Sequence, residues 1–376
     1  MMIQKPFLTA LISSSVLIAC APPATSQPSA TVESAIIVTE LASGLAYPWG
    51  AAFLPDGSLL VTERDGRLRL IRDGKLVEAP ISGVPAVLND GQGGLFDVAL
   101  HPDFATNSLV YLSFAKGTKS ANHTALVRGK FNGKALTQVE PVFDAVPERA
   151  TQAHFGGRLL FLPDKSLIVT LGDGYKYRDK AQDLGSDLGK IVRISDTGKP
   201  APGNPFIGQA GARPEIWSYG HRNVQGIARD PATGTLYANE HGPKGGDEVN
   251  VIQPGKNYGW PVITYGVDYS GAPISLENKK AGMEQPLVYW VPSIAPSSMV
   301  FYTGDLFKAW KGDLLVTALA GQHIRRVDLE AGAVKGQESL LVEREERYRD
   351  IIQAPDGSLI VLTDDPEGKV LRLTPK

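Results

Sequence analysis

Short apolar runs cut by turns, not helical stripes, make up the hydrophobic pattern of this chain. From Pro55 the order is Pro-Asp-Gly-Ser-Leu-Leu-Val-Thr-Glu-Arg-Asp-Gly-Arg-Leu-Arg-Leu-Ile-Arg-Asp-Gly. Asp-Gly pairs at Asp56, Asp65 and Asp73 separate stretches that alternate or stay apolar for a few residues. Asp-Gly suits the positive φ angles of tight hairpins, so the segment predicts an antiparallel meander. The phrase returns as Pro163-Asp164-Lys165-Ser166-Leu167 and Pro355-Asp356-Gly357-Ser358-Leu359, and more loosely around Leu109, Leu236 and Leu314. The six anchor leucines, Leu59, Leu109, Leu167, Leu236, Leu314 and Leu359, are 50, 58, 69, 78 and 45 residues apart, a mean of 60. Sixty residues fit one four-stranded sheet with its loops. Six such units predict an all-β, six-bladed propeller of four-stranded antiparallel blades.

After Leu359 only one strand-like run remains, Lys369 to Leu373, so the last blade is one strand short. The run Ala35-Ile36-Ile37-Val38-Thr39-Glu40-Leu41 is the expected replacement. Pairing there would close the ring and remove an open edge.

Composition narrows the class. Lys plus Arg number 38 and Asp plus Glu 40, a net charge of −2, so bulk charge signals no nucleic-acid partner. With 43% hydrophobic residues the chain is of ordinary globular composition, and Gly 40 and Pro 27 fit many turns. One cysteine excludes an intramolecular disulfide framework and any Cys-based zinc cluster. It is Cys20. Lys5 precedes a 13-residue, mostly apolar run from Phe7 to Ala19, too short to span a bilayer as a helix. Leu17-Ile18-Ala19-Cys20 resembles the lipobox of bacterial lipoproteins, in which the chain is cut before a cysteine that then carries lipid. Residues 1–19 are thus expected to be a signal peptide. Residues 20–34, small and Pro-rich, read as a flexible tether, and residues 35–376 as the propeller. That arrangement implies a lipid-anchored, periplasm-facing protein of the bacterial cell envelope. Ala21 after the cysteine points to the outer membrane, and the lipid would be the only membrane contact.

In a propeller, loops entering each blade's innermost strand face one mouth of the central channel. About 12 to 17 residues before the anchor leucines lie Gln92, His154, Arg222-Asn223 and Arg347-Tyr348-Arg349-Asp350. Three arginines converging there ask for an anionic ligand with carboxylates or phosphates. A histidine beside them is a candidate general base, kept neutral by the positive charge. Glycines in two of these segments, Gly91 to Gly94 and Gly156-Gly157, would let backbone approach a ligand. The segment from Asn239 to Asn250 is rich in carboxylates, amides and turn carbonyls, hard oxygen donors suited to Ca²⁺ but without EF-hand spacing. No dinucleotide fingerprint, phosphate loop or nucleophile elbow appears.

Taken together, Gly91-Gln92-Gly93-Gly94-Leu95, His101-Pro102-Asp103-Phe104, His154-Phe155-Gly156-Gly157-Arg158-Leu159, Gly220-His221-Arg222-Asn223, Glu240-His241-Gly242-Pro243, Asp247-Glu248-Val249-Asn250, Asn257-Tyr258-Gly259-Trp260-Pro261 and Arg347-Tyr348-Arg349-Asp350 resemble the soluble PQQ-dependent glucose dehydrogenase family, in its aldose sugar dehydrogenase branch. The resemblance covers roughly residues 35–374. It implies a quinoprotein that oxidises the C1 hydroxyl of an aldose to a lactone, with pyrroloquinoline quinone (PQQ) and Ca²⁺ as cofactors and a separate electron acceptor. By this resemblance Gln92, Arg222, Asn223, Tyr269, Arg347 and Arg349 would hold PQQ. Gly242 and Pro243 would offer carbonyls to the catalytic Ca²⁺, Glu248 and Tyr258 would hold a structural Ca²⁺, and His154 would be the base. One departure stands out. A cofactor-binding lysine usual in the family aligns with Ala320, leaving Arg325, Arg326 or Lys244 as replacement cations. A non-enzymatic binding propeller and a Ca²⁺-dependent lactonase are the alternatives. The first predicts no cofactor binding, the second lactone hydrolysis without PQQ.

Overall fold

The computed structural model describes residues 36–376, so Cys20 and the segment around it lie outside the described residues. The described chain forms six four-stranded antiparallel sheets with almost no helix. After β1 (Ile36–Leu45), blade one comprises β2 (Pro48–Phe53), β3 (Leu59–Glu63), β4 (Arg67–Arg72) and β5 (Lys75–Leu76). Blade two is β6 (Leu95–Leu100), β7 (Leu109–Gly117), β8 (Asn122–Phe131) and β9 (Leu136–Asp144). Blade three is β10 (Gly156–Phe161), β11 (Leu167–Leu171), β12 (Lys190–Ile194) and β13 (Ile216–Tyr219). Blade four is β14 (Val224–Arg229), β15 (Leu236–Glu240), β16 (Asp247–Ile252) and β17 (Val288–Trp290). Blade five is β18 (Pro296–Phe301), β19 (Leu314–Ala318), β20 (Ile324–Glu330) and β21 (Ala333–Leu340). Blade six is β22 (Tyr348–Gln353), β23 (Leu359–Thr363) and β24 (Gly368–Pro375), completed by β1 (Ile36–Leu45).

Each anchor leucine opens the second strand of a blade. In five blades every residue of that strand is buried, because neighbouring blades cover both faces. That explains runs such as Leu-Leu-Val that do not alternate. The outermost β9, by contrast, is largely exposed. The repeated Pro-Asp-x-Ser turn has a physical cause. Asp56, Asp164 and Asp356 each accept the backbone N–H of the serine two residues on, at 2.9, 3.0 and 3.0 Å. An arginine from the third strand, Arg72, Arg193 or Arg372, then donates Nε to the same serine hydroxyl at 3.4, 2.9 and 3.1 Å. Gly57 and Gly357 adopt φ of +84°, and Lys165 takes the same left-handed region at +65°.

The ring closes as expected. β1 pairs antiparallel with β24, with Ile36 opposite Pro375, Val38 opposite Leu373 and Leu45 opposite Gly368. The strand runs four residues beyond the expected end at Leu41.

The axis of the ring is plugged by one side chain. Arg158, on β10 in blade three, is 5% exposed. Its Nη1 donates to Asp97 (3.3 Å) in blade two and Asp350 (2.9 Å) in blade six. Its Nε and Nη2 donate to the carbonyls of Gln225 (3.0 Å) in blade four and Ser297 (3.2 Å) in blade five. The guanidinium lies 4.3 Å over the ring of Trp49 in blade one. One cation thus touches the other five blades and forms the floor beneath the channel mouth.

Candidate functional site

In an antiparallel blade, the loop entering the first strand and the loop leaving the second share one end. Both loop sets therefore converge on the same mouth. Entering loops bring Gln92, His154, Arg222, Asn223 and Arg347, with Arg349 just inside β22. Leaving loops bring Arg64, Asp173, His241, Leu319 and Asp364, each within two residues of the end of a second strand. The cofactor and base candidates at the mouth belong to the first set, whereas the metal candidates Gly242 and Pro243 follow β15 in the second. The second set was readable by the same rule, and it contributes the carboxylates that orient and neutralise the first.

A cavity of about 250 Å³ lies over the floor, lined among others by Gln92, Asn223, Gln225, Arg347 and Arg349. It holds three arginines, Arg64, Arg347 and Arg349, against a single carboxylate, Asp364. Asp364 pairs with Arg347 (2.9 Å) and Arg349 (3.2 Å), which hold it below the usual carboxylate range against the opposing effect of burial. Trp49 forms an apolar wall, with Arg158 on one guanidinium contact and Arg349 on another at 5.9 Å. His241 also lines the cavity. Burial, with Arg222 and Arg349 nearby, pushes it down to about 3, so it is a neutral imidazole. Its Nε2 is buried and has no hydrogen-bond partner.

An adjoining cleft of about 240 Å³ is lined by His154, Tyr175, Arg222, Pro243, Trp260 and Tyr269, among others. The two share a wall, since the N–H of His154 donates to Gln92 Oε1 at 2.8 Å. His154 Nδ1 meets Asp173 Oδ1 at 2.6 Å, and Asp173 Oδ2 accepts from Trp260 Nε1 at 2.7 Å. Asp173 thereby fixes the ring and leaves Nε2 as the nitrogen for the cleft. Burial holds His154 below the ordinary histidine value; Asp173 opposes this, while Arg222 and Arg149 add to it. Tyr269 is the outermost of the candidates, 60% exposed on the cleft rim.

The sequence profile of the Glucose / Sorbosone dehydrogenase family matches residues 45–372. The aldose sugar dehydrogenase YliI of Escherichia coli is 43% identical over 345 residues, covering 90% of this chain and 93% of that protein. The chain belongs to the glucose/sorbosone dehydrogenase family. The apo crystal structure of the E. coli soluble aldose sugar dehydrogenase superposes with a TM-score of 0.88 at 42% identity, covering 91% of this chain and 100% of that one. A PQQ-bound aldose sugar dehydrogenase from Streptomyces coelicolor gives 0.75 at 31% identity, covering 90% and 98%.

Within this dehydrogenase fold the metal candidates fall in two places. Gly242 and Pro243 follow β15, and the Gly242 carbonyl accepts Arg222 Nη1 at 2.6 Å. A cation taking that carbonyl would displace Arg222. Glu248 and Tyr258 line a third, very small cavity with Glu240. Burial and the neighbouring Glu240 push Glu248 up to about 8. Two buried carboxylates crowded this way are a physical invitation to a cation. The Tyr258 hydroxyl is already spent, donating to the Val251 carbonyl at 2.6 Å, so only its backbone could serve a metal. Among the described residues no cluster of three or more His, Cys, Asp or Glu stands ready as a metal site.

Two expectations change. Ala320 is exposed, and none of Arg325, Arg326 or Lys244 is among the residues lining the main cavity. Arg326 is tied to Asp313 and Glu338, both at 2.6 Å. The additional cation is Arg64, from the leaving loop of blade one. The glycines of the Gln92 loop also serve a different purpose. A Cβ on Gly94 (φ +146°) would sit 2.1 Å from the Arg64 carbonyl, and one on Gly91 2.5 Å from the Gln152 carbonyl. These glycines let neighbouring loops pack together, whereas Gly156 itself lines the cavity.

Proposed function

We propose that this family member is a PQQ- and Ca²⁺-dependent aldose dehydrogenase that oxidises the C1 hydroxyl of the sugar to the lactone. The observation that carries the reading is the cavity with three arginines against one carboxylate, beside a histidine fixed by an aspartate. A ligand with several carboxylates would balance that charge, and PQQ carries three. The buried, unpartnered Nε2 of His241 is a further polar atom suited to a ligand. The PQQ-bound Streptomyces relative supports the choice of cofactor.

Gln92, Arg222, Asn223, Arg347 and Arg349 would hold the cofactor, with Tyr269 at its rim. Gly242 and Pro243 would offer carbonyls to one Ca²⁺, while Glu248 and the Tyr258 backbone would hold another. When bound, the quinone supplies a two-electron acceptor for the hydride leaving C1, and the Ca²⁺ polarises it. His154 takes the C1 hydroxyl proton at Nε2. Asp173 holds the ring in the tautomer that leaves Nε2 unprotonated, and stabilises the cation formed. Trp49 and the Arg158 floor keep the underside of the cavity closed to water.

The same reading includes a lipid on Cys20, which would tether the propeller to the cell envelope; Cys20→Ser would release it to the soluble fraction. For the catalytic reading, the test is titration of apo-protein with PQQ, with and without Ca²⁺, by calorimetry, followed by dye reduction with an aldose panel. Saturable PQQ binding and aldose-dependent reduction are expected. Folded protein without PQQ binding would leave a binding propeller, and lactone hydrolysis without PQQ a hydrolase.

A further inference from the structure

His154 stands in an uncommon backbone state. Its φ is +54°, in the left-handed region that a bulky side chain rarely adopts. Something must hold it there. Its N–H is held by Gln92. Its carbonyl accepts the Gly174 N–H at 3.3 Å and, at the shorter 2.6 Å, Arg149 Nη1, which also donates to the Ala153 carbonyl at 3.1 Å.

Arg149 is an odd residue to find there. It is 2% exposed, and among the described residues it makes no ion pair with a carboxylate. Its Nε and Nη2 are buried without hydrogen-bond partners. The guanidinium lies 4.1 Å over the ring of Phe155, a residue of the main cavity wall. The chain makes room for it. A Cβ on Gly174 would meet Arg149 Cδ at 2.7 Å, and one on Gly172 would meet the His154 carbonyl oxygen at 2.1 Å. Asp173, which orients the His154 ring, is the residue between these two glycines. A buried cation lacking its own carboxylate is unfavourable as a stability device. It makes sense if its charge and its fork both act on a neighbour.

We propose that Arg149 is a positioning residue for His154: its fork clamps the strained backbone that sets the ring against Asp173. Its unpaired charge also disfavours the imidazolium. The proposal rests on His154 being the base of the reaction above. The charges facing His154 oppose one another. Asp173 favours the imidazolium, while Arg222 and Arg149 disfavour it. The Tyr175 ring packs edge-on against His154 at 5.2 Å, Lys176, Arg178 and Asp268 line the same cleft, and His241 interacts electrostatically with both Arg222 and His154. Arg149 is the member of this set that also fixes the histidine's backbone.

The experiment uses the full chain with two readouts. The first is an NMR titration of histidine side chains in the apo-protein, with His154 assigned by its loss in His154→Gln among the six histidines. The second is steady-state turnover after loading with PQQ and Ca²⁺. In Arg149→Met the His154 midpoint should rise by about one pH unit, and kcat should fall about 100-fold with KM for the sugar changed by less than about threefold. Arg149→Lys keeps the charge and shortens the donor. It should keep the midpoint within about 0.3 pH unit and lose about tenfold in kcat. An unchanged midpoint in folded Arg149→Met, or wild-type kcat in either variant, would overturn the proposal. If Arg149→Met does not fold, Arg149→Lys decides alone: a midpoint moved by more than about 0.3 pH unit, or wild-type kcat, would overturn the proposal. Wild-type protein that binds no PQQ would instead sink the parent reading, and the apo titration would still report on the clamp.

Discussion

Replacing Arg158 with methionine would remove four hydrogen bonds while roughly keeping the side-chain volume. What remains is the larger effect. Asp97 and Asp350 would stay buried, 4% and 1% exposed, without the cation between them. Breaking a buried pair this way costs about 3–5 kcal/mol. At about 2.1 cal/mol/K per residue over roughly 340 residues, the unfolding entropy near Tm is about 0.7 kcal/mol/K, so the melting temperature should fall by about 4–7 °C. The loss should depend on pH. Burial already pushes Asp97 up to about 6, although Arg158 pulls it down. A carboxyl raised above its unfolded value favours the fold most below about pH 4, and that contribution fades as pH rises through about 6. Without Arg158 the window shifts upward, so the penalty should be larger at pH 8 than at pH 5. Urea and thermal unfolding of wild type and Arg158→Met at both pH values measure this. A penalty under about 1 kcal/mol at pH 8, or equal penalties at both pH values, would refute the hub argument.

Other expectations concern the mouth. His154→Gln should still bind PQQ but lose most turnover; equal turnover would remove His154 from the base role. Arg347→Ala should weaken PQQ affinity about tenfold, a modest effect because its side chain is 45% exposed and its partner Asp364 keeps Arg349; calorimetry with unchanged affinity would contradict the assignment. Without Ca²⁺, Glu248→Gln should raise the melting temperature at pH 9, where the native state pays for ionising a carboxyl raised to about 8, and should reduce the Ca²⁺-dependent rise to what the Gly242–Pro243 site contributes. An undiminished rise in Glu248→Gln would place the structural ion elsewhere.

The fold was largely legible in advance because a propeller repeats its local chemistry. The Pro-Asp-x-Ser turn is stabilised by its own aspartate, so it leaves the same trace wherever it recurs. The buried second strands leave the same apolar run. Leu109, Leu236 and Leu314 were found through that run even where the turn had diverged. Half of the mouth was legible for the same reason, since Gln92, His154, Arg222 and Arg347 stand at matched offsets before the repeat. Arg64, Asp173 and Asp364 obey an equally regular rule after it.

By itself, then, the sequence determined the number of blades, the closing strand and the residues sent to one mouth, all consequences of local turns and burial. Only the tertiary structure decided which charges meet. Asp364 neutralises Arg347 and Arg349 from 15 or 17 residues away, whereas Arg158 finds Asp350 across 192 positions. It also decided that Arg149, unremarkable in the chain, lies buried against the His154 carbonyl. Pairing between blades depends on distances and burial around a closed ring, and no local pattern encodes them.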